Sequence, residues 1–383
     1  MKQFTRQQLK EFDFVVVGAG FYGLTLAHQL AQNSTRRILV VDSRMHLGGN
    51  AFSYTDTETN IEIHKYGSHL FHTSNDRVWN FVNQFGEFNN YRHKVKTQFE
   101  NQVYSMPINL HTINQFMKTN FSPSEAKDWV ESCRIENQNP INFEEQAIAL
   151  IGEPLYKAFI AGYTAKQWQT DPKDLPAEII RRLPVNYSYN DNYFNDTYEG
   201  LPLEGYGKIF QRMCDLPNIR IELGITFDPN QYSLNDFNNL IYTGPIDRFF
   251  SYSHGQLGWR TLDFEMEVMP VGDFQGTSVM NYADLKVPYT RIHEFKHLHP
   301  ERDVSPDSTI IVREFSRFAD IGDDPYYPIN AISDREKLVN YRIEAEKLKN
   351  VVFGGRLGRY QYLDMHMAIA SALKTTDEIL SKC

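Results

Sequence analysis

Cysteine is scarce in this 383-residue chain, which carries only Cys133, Cys214 and Cys383. They are odd in number and none stands in C-x-x-C spacing, so a disulfide framework and a dithiol motif are excluded, and a reducing cytoplasm fits. No apolar run approaches the roughly 18 residues that suggest a membrane span. Met1 to Glu11 is polar, without the apolar region of a signal peptide. A cytoplasmic protein without membrane insertion is expected. Basic residues are also few: the formal net charge is −9, which argues against a nucleic-acid surface. An anionic small ligand remains compatible if arginines gather in one pocket. Aromatic residues are plentiful, with 22 Tyr and 26 Phe, and they suit core packing and stacking surfaces. Two or three lobes are expected at this length.

The stretch Phe14–Asn50 organises the rest. Phe14-Val15-Val16-Val17 is an apolar run suited to a parallel strand buried on both faces. Gly18-Ala19-Gly20-Phe21-Tyr22-Gly23 follows, a G-x-G-x-x-G turn that allows close backbone approach to a pyrophosphate. Leu24, Leu26, Ala27 and Leu30 then carry helical spacing, so a helix points its amide-rich end at an anion. Ile38 to Val41 reads as a second strand, and Asp42 ends it where an acid accepts from ribose hydroxyls. The basic, glycine-paired loop Arg44–Asn50, with Gly49, suits the diphosphate of FAD rather than a nicotinamide cofactor.

His64, His69 and His72 invite a metal reading, but H-E-x-x-H is absent and Gly67 breaks any helix, so no metal is expected there. The segment reads instead as a turn packed against a cofactor ring. The middle third is helical: Asp76 onwards, a capping box at Ser122–Glu125, Phe143–Leu150 stopped at Gly152, and Leu155–Ala161 ending at Gly162. Tyr187–Tyr198 is too polar for a core and suits a binding loop. Strands are expected at 219–223, 240–243, 261–269, 278–282, 289–295 and 309–315. The alternation of Leu262, Phe264, Met266 and Val268 suggests a one-sided antiparallel sheet. His293, His297 and His299 lack an acid or cysteine to complete a site and read as surface or packing residues. Ser333–Glu336 is a second capping box opening a helix. Val351–Phe353 is a buried strand, followed by the Gly354-Gly355 turn and a last helix capped by Asp364. The chain then closes its first domain with its own C-terminus.

Taken together, His64–Thr73, Tyr104–Phe116, Gly162–Trp168, Asp191–Asp196, Tyr242–Phe250, Gly272–Phe295, Arg313–Asn330 and Gly354–Met367 closely resemble the UDP-galactopyranose mutase family. The resemblance runs from about Phe14 to Leu380. It implies an α/β fold: a discontinuous Rossmann-like FAD-binding domain (1–78, 206–248 and 333–383), a helical lobe with a following mobile loop (108–183), and an antiparallel sheet domain (79–107, 184–205 and 249–332). It further implies interconversion of UDP-galactopyranose and UDP-galactofuranose, with N5 of reduced FAD attacking the anomeric carbon, UDP displaced and no net redox change. A flavin amine or phytoene-type oxidoreductase on the same fold is the alternative. The implied partners are the two forms of UDP-galactose, a reductant such as NAD(P)H or a reductase, and a second copy of the chain.

Carried over by motif, Arg182 and Arg291 resemble the diphosphate clamps, for which the planar, permanently charged guanidinium is suited. His69, His72 and Asp364 match positions beside the flavin and sugar, and Tyr193, Tyr327 and Tyr362 match phosphate-contacting tyrosines. Phe159, Tyr163, Thr164, Trp168 and Asn281 match nucleotide and mobile-loop positions. Gly18, Gly20, Gly23, Asp42, Arg44, Gly49, Asn50, Gly355, Arg356 and Met365 are the implied cofactor residues. Asn186 and Arg359 depart from the family pattern. The segment from Gln169 to Asn190 is the expected closing loop.

Overall fold

The computed structural model describes residues 4–180 and 185–382. Strands Phe14–Val17, Ile38–Asp42, Ile219–Leu223, Leu240–Tyr242 and Val351–Phe353 form one wholly parallel sheet. Phe14–Val17 lies at its centre, between Leu240–Tyr242 and Ile38–Asp42, as its unbroken apolar run requires. The strands come from the beginning, middle and end of the chain. Helices Phe21–Gln32 and Met365–Leu380 pack together, and Tyr22 Oη donates to Thr375 Oγ1 at 3.0 Å between them.

A second sheet has the order Tyr327–Pro328, Trp259–Met269, Thr309–Phe318, Arg291–Glu294, Val279–Tyr282, Val95–Phe99, Gln102–Met106. One pair departs from the expected antiparallel pattern, since Val279–Tyr282 runs parallel to Val95–Phe99. A parallel pair needs a long crossover, and the whole helical lobe supplies it. The hairpin of Val95–Phe99 with Gln102–Met106 was not legible in the sequence as a pair of strands.

The helical lobe buries Ile113, Ala126, Val130, Phe143, Ala147 and Ile151. Its Ser122–Glu125 capping box forms, with Pro123 in the first turn. Two expected boundaries are corrected. The helix read as ending at Gly162 continues through a π segment, Tyr156–Ala161, into Gly162–Trp168. Gly162 keeps a right-handed helical conformation, and a Cβ there would lie 2.1 Å from Ala283 O. It is a close-approach glycine rather than a stop. The later helix spans Ile332–Glu346, which puts Ser333 inside it. Asp334 caps from within: its carboxylate accepts from the amides of Ala331 (3.3 Å) and Gly258 (3.1 Å) and from Tyr360 Oη (2.9 Å). Part of the Tyr- and Asn-rich segment pairs in a small sheet, where Tyr198–Gly200 runs antiparallel to Phe71–Thr73.

Candidate functional site

All ten sequence-implied cofactor residues line one cleft of about 460 Å³ at the C-terminal edge of the parallel sheet, and His69 and Asp364 line it too. Its floor is backbone. Gly18 has φ +108°, and a Cβ there would lie 1.9 Å from Thr243 Oγ1. Asp42 braces the floor: its carboxylate accepts from Ala19 N at 2.7 Å and from Arg44 N at 2.8 Å. The Arg44 guanidinium donates to Asn50 Oδ1 (2.8 Å), pairs with Asp324 (2.8 Å) and lies 4.3 Å over the Tyr66 ring. The N-termini of Phe21–Gln32 and Met365–Leu380 both reach this cleft, bringing two partly positive helix ends to it. A glycine-walled cradle with amide-rich helix ends and an acid beside the turn fits a dinucleotide such as FAD.

A second polar cluster lies on the second sheet. Arg291 and Asn281 are direct partners across the hairpin of Val279–Tyr282 and Arg291–Glu294. Arg291 donates to Tyr163 Oη, and its Nε lies 3.2 Å from the buried Glu314. Glu314 also meets His293 Nε2 at 3.0 Å, while His293 Nδ1 meets Ser68 Oγ at 2.7 Å. Burial opposes the Arg291 charge, but Glu314, Tyr163, Tyr327 and Tyr193 around it favour it. Burial raises the Tyr163 phenol to about 12 and also raises those of Tyr327 and Tyr362. All three are therefore neutral donors at pH 7.

Arg356 of the cleft lies 5.9 Å from the Tyr327 ring and 5.3 Å from the Tyr362 ring. Its guanidinium donates to the carbonyls of Leu363 (2.7 Å) and Tyr326 (3.0 Å). Tyr362 Oη donates to Asp364 at 2.7 Å. The expected Asp364 cap is thus corrected: its carboxylate makes no bond to the helix amides it precedes. His72 stacks on Phe194 with centroids 3.7 Å apart, and its Nδ1 meets Asp196 at 2.7 Å. His72, Asp364 and His366 have ligand-type atoms within 4.8 Å of one another. Asp196 and Tyr362 already occupy two of these groups, so the trio reads as a polar wall.

Burial, opposed by a bond to Gly67 O and reinforced by Arg356, His293 and Arg44, holds His69 at about 4. Its ring is therefore expected to stay neutral from pH 8 to pH 5 by NMR titration; a midpoint near 6.5 would contradict this placement. The unfolded chain binds the extra proton first, so the stability this ring contributes falls as pH drops from about 6.5 toward 4.

Other assigned residues fall as follows. Thr164 is buried on the helix that carries Tyr163. Tyr193 is half exposed, 5.4 Å from the His93 ring. Trp168 packs against the helical-lobe core. Phe159 lies inside that core, its ring 5.0 Å from Tyr104 and 5.5 Å from Phe116. Arg182 lies outside the described residues. Asn186 organises its own turn, accepting from Ser188 N (3.1 Å) and Oγ (2.8 Å). Arg359 neighbours the Tyr22 hydroxyl.

The histidine reading needs correction. Each of the three meets a carboxylate: His293 meets Glu314, His297 meets Asp273 and Glu294, and His299 meets Glu301. His93 and Glu314 were also missed. Burial, with Arg291, His293 and His72 near, holds His93 at about 3. The available signal was polar alternation, since Arg291 and His293 share one face of a strand.

Comparison with known proteins agrees with this geometry. The family profile described as UDP-galactopyranose mutase matches residues 158–362, and one for an NAD(P)-binding Rossmann-like domain matches residues 16–85. The chain is 46% identical to a probable UDP-galactopyranose mutase of Klebsiella pneumoniae, covering 96% of this chain and 95% of the relative. It is 41% identical to a dTDP-fucopyranose mutase of Escherichia coli, covering 94% and 96%. Among solved structures, a reduced UDP-galactopyranose mutase superposes with TM-score 0.75 at 15% identity, covering 97% of this chain and 94% of that one. A putative protoporphyrinogen oxidase from Exiguobacterium sp. 255-15 shares the fold, with TM-score 0.62 at 13% identity over 97% and 99%.

Proposed function

The chain belongs to the UDP-galactopyranose mutase family, and from that premise we propose that it interconverts the pyranose and furanose forms of UDP-galactose on reduced FAD. The observation that carries this reading is Arg291, a guanidinium held between Glu314 and Tyr163 with Tyr327 and Tyr193 near it. A flavin oxidoreductase with an uncharged substrate has no use for that cluster.

Bound in the glycine-walled cleft and reduced, FAD supplies an electron-rich nitrogen as nucleophile with no net redox change. The chain's residues do the rest. Arg291 binds the diphosphate and stabilises the charge that grows as UDP departs. Tyr163 and Tyr327, kept as phenols, are donors to phosphate oxygens, Tyr362 joins them when its hydroxyl turns from Asp364, and Tyr193 completes the set. Asn281, whose side-chain oxygen is buried without a protein partner, faces the same pocket as its strand partner Arg291. His69, neutral, orients groups at the flavin end without adding charge. His72, fixed by Asp196, holds the sugar end. Arg182 is the second clamp in this reading, and the segment 169–190 closes over the nucleotide.

Among the described residues no helix is long and apolar enough to cross a membrane. A cytoplasmic homodimer served by an NAD(P)H-linked reductant, feeding galactofuranose to cell-surface glycans, completes the proposal.

The test is anaerobic incubation of dithionite-reduced protein with UDP-galactofuranose, followed by chromatography. UDP-galactopyranose should accumulate; its absence would sink the reading. The 41% identity to a dTDP-fucopyranose mutase makes dTDP-fucofuranose the second substrate for the same assay, and faster turnover of it would reassign the sugar.

A further inference from the structure

Lys166 lies on the helix Gly162–Trp168, three residues beyond Tyr163, so the two side chains leave neighbouring points of one helical face. Its ammonium lies within hydrogen-bond distance of four carbonyl oxygens, which share its three N–H donors: Tyr282 at 2.7 Å, Asp284 at 2.9 Å, Val287 at 3.0 Å and Tyr289 at 2.9 Å. Three belong to the turn between Val279–Tyr282 and Arg291–Glu294 and the fourth, Tyr282, ends the first of these strands, in the hairpin that pairs Asn281 with Arg291. Four carbonyl dipoles aimed at one point repel one another unless a cation sits among them. The same helix touches the same turn at Gly162, which admits Ala283 O where a side chain would collide. Arg291 reaches back across to Tyr163. Helix and hairpin therefore meet at three places in line, and only the Lys166 contact is ionic on one side and wholly backbone on the other. Burial draws the ammonium down to about 8, with Asp284 opposing, which leaves it charged at neutral pH.

We propose that Lys166 is the positioning residue of the nucleotide pocket: its ammonium, set in the carbonyl cage of the hairpin turn, fixes Arg291 and Asn281 at the spacing a nucleoside diphosphate needs from Tyr163 and Thr164. The inference rests on the diphosphate reading of Arg291 given above. The FAD cleft is built from other segments and does not depend on this tether.

The test uses the full-length holoprotein with Lys166→Met, which keeps the stem and removes the charge, and Lys166→Gln, which keeps two N–H donors. UDP is titrated by isothermal calorimetry, and backbone exchange over residues 279–291 is followed by mass spectrometry without ligand. Lys166→Met is expected to weaken UDP binding about tenfold or more, as a displaced clamp does, with faster exchange in the hairpin and unchanged FAD content. Lys166→Gln should fall between it and the unaltered protein. In Lys166→Ala, propylammonium should recover UDP affinity while tetramethylammonium at equal ionic strength should not. UDP affinity and hairpin exchange within twofold of the unaltered protein in Lys166→Met would overturn the proposal. So would loss of FAD in both Lys166→Met and Lys166→Gln, which would make Lys166 a general structural lysine. Absence of UDP binding by the unaltered protein would tell against the diphosphate reading alone, and the exchange measurement would still decide whether Lys166 holds the turn.

Discussion

Arg291→Ala is expected to lower kcat/KM for the nucleotide sugar by about two to three powers of ten while FAD stays bound, the scale on which one transition-state donor is worth its loss. The flavin cleft is lined without Arg291, so the 450 nm absorbance of the purified variant should match the unaltered protein. Arg291→Lys should recover little, because an ammonium keeps the charge but not the planar fork that grips two phosphate oxygens. The variant should also lose stability at neutral pH, where Glu314 is left charged and buried. Burial alone would raise the Glu314 carboxyl, but Arg291 and His293 outweigh it and hold it at about 2. A carboxylate depressed in the folded state adds stability that is present above its unfolded pKa of about 4.3 and lost as pH falls toward 2. Removing Arg291 takes away the largest group favouring that ionised state, so the variant should be less stable than the unaltered protein at pH 7, and the gap should narrow as pH falls from about 4.3 toward 2, as read by thermal melts followed by circular dichroism. Colourless Arg291→Ala protein would assign the arginine a structural role instead.

Gly23→Ala and Gly20→Ala should fail differently, although both lie in one turn. A Cβ at Gly23 would lie 2.0 Å from Gly18 O and 3.2 Å from Val16 Cγ1. That obstacle is backbone at the end of the central strand, so helix Phe21–Gln32 must move away from the sheet. Gly23→Ala should lose FAD and melt at lower temperature, by about 1–2 °C for each of the roughly 2–4 kcal/mol lost. At Gly20 the nearest atoms to a Cβ are Gly48 O and Gly49 Cα, both 4.0 Å away, and the backbone is extended. Alanine fits the protein there and fills only the space a pyrophosphate would take. Gly20→Ala should therefore fold with near-unaltered thermal stability in the apo form and bind FAD poorly. Equal behaviour of the two variants would refute this division of roles.

The parts of this molecule that were legible in its sequence are those written in short-range chemistry. The glycine turn, the apolar strands beside it and the Ser122–Glu125 cap each depend on neighbours a few residues apart. The arrangement around Arg291 depends on strand register instead. Glu314 faces Arg291 because Arg291–Glu294 pairs with Thr309–Phe318 in one particular alignment, and a slip of one residue would turn every side chain away. Lys166 reaches carbonyls more than a hundred residues away along the chain. Gly162 was misread for a related reason. A glycine that stops a helix and one that admits a passing backbone look alike until the passing segment, here Ala283, is known.

The parallel sheet has a consequence for how the protein is made. Its central strand leaves the ribosome first, and its edge strand Val351–Phe353 and the covering helix Met365–Leu380 leave last. At ordinary elongation rates the interval is on the order of tens of seconds. Throughout it, the side of Phe21–Gln32 that Met365–Leu380 will cover has no partner, and one wall of the cleft, with Gly355 and Met365, does not yet exist. The nascent chain therefore has a stretch of hydrophobic helix for chaperones to guard. The cleft is complete only once Met365–Leu380 has emerged and packed, and chains cut short before Val351 should be colourless.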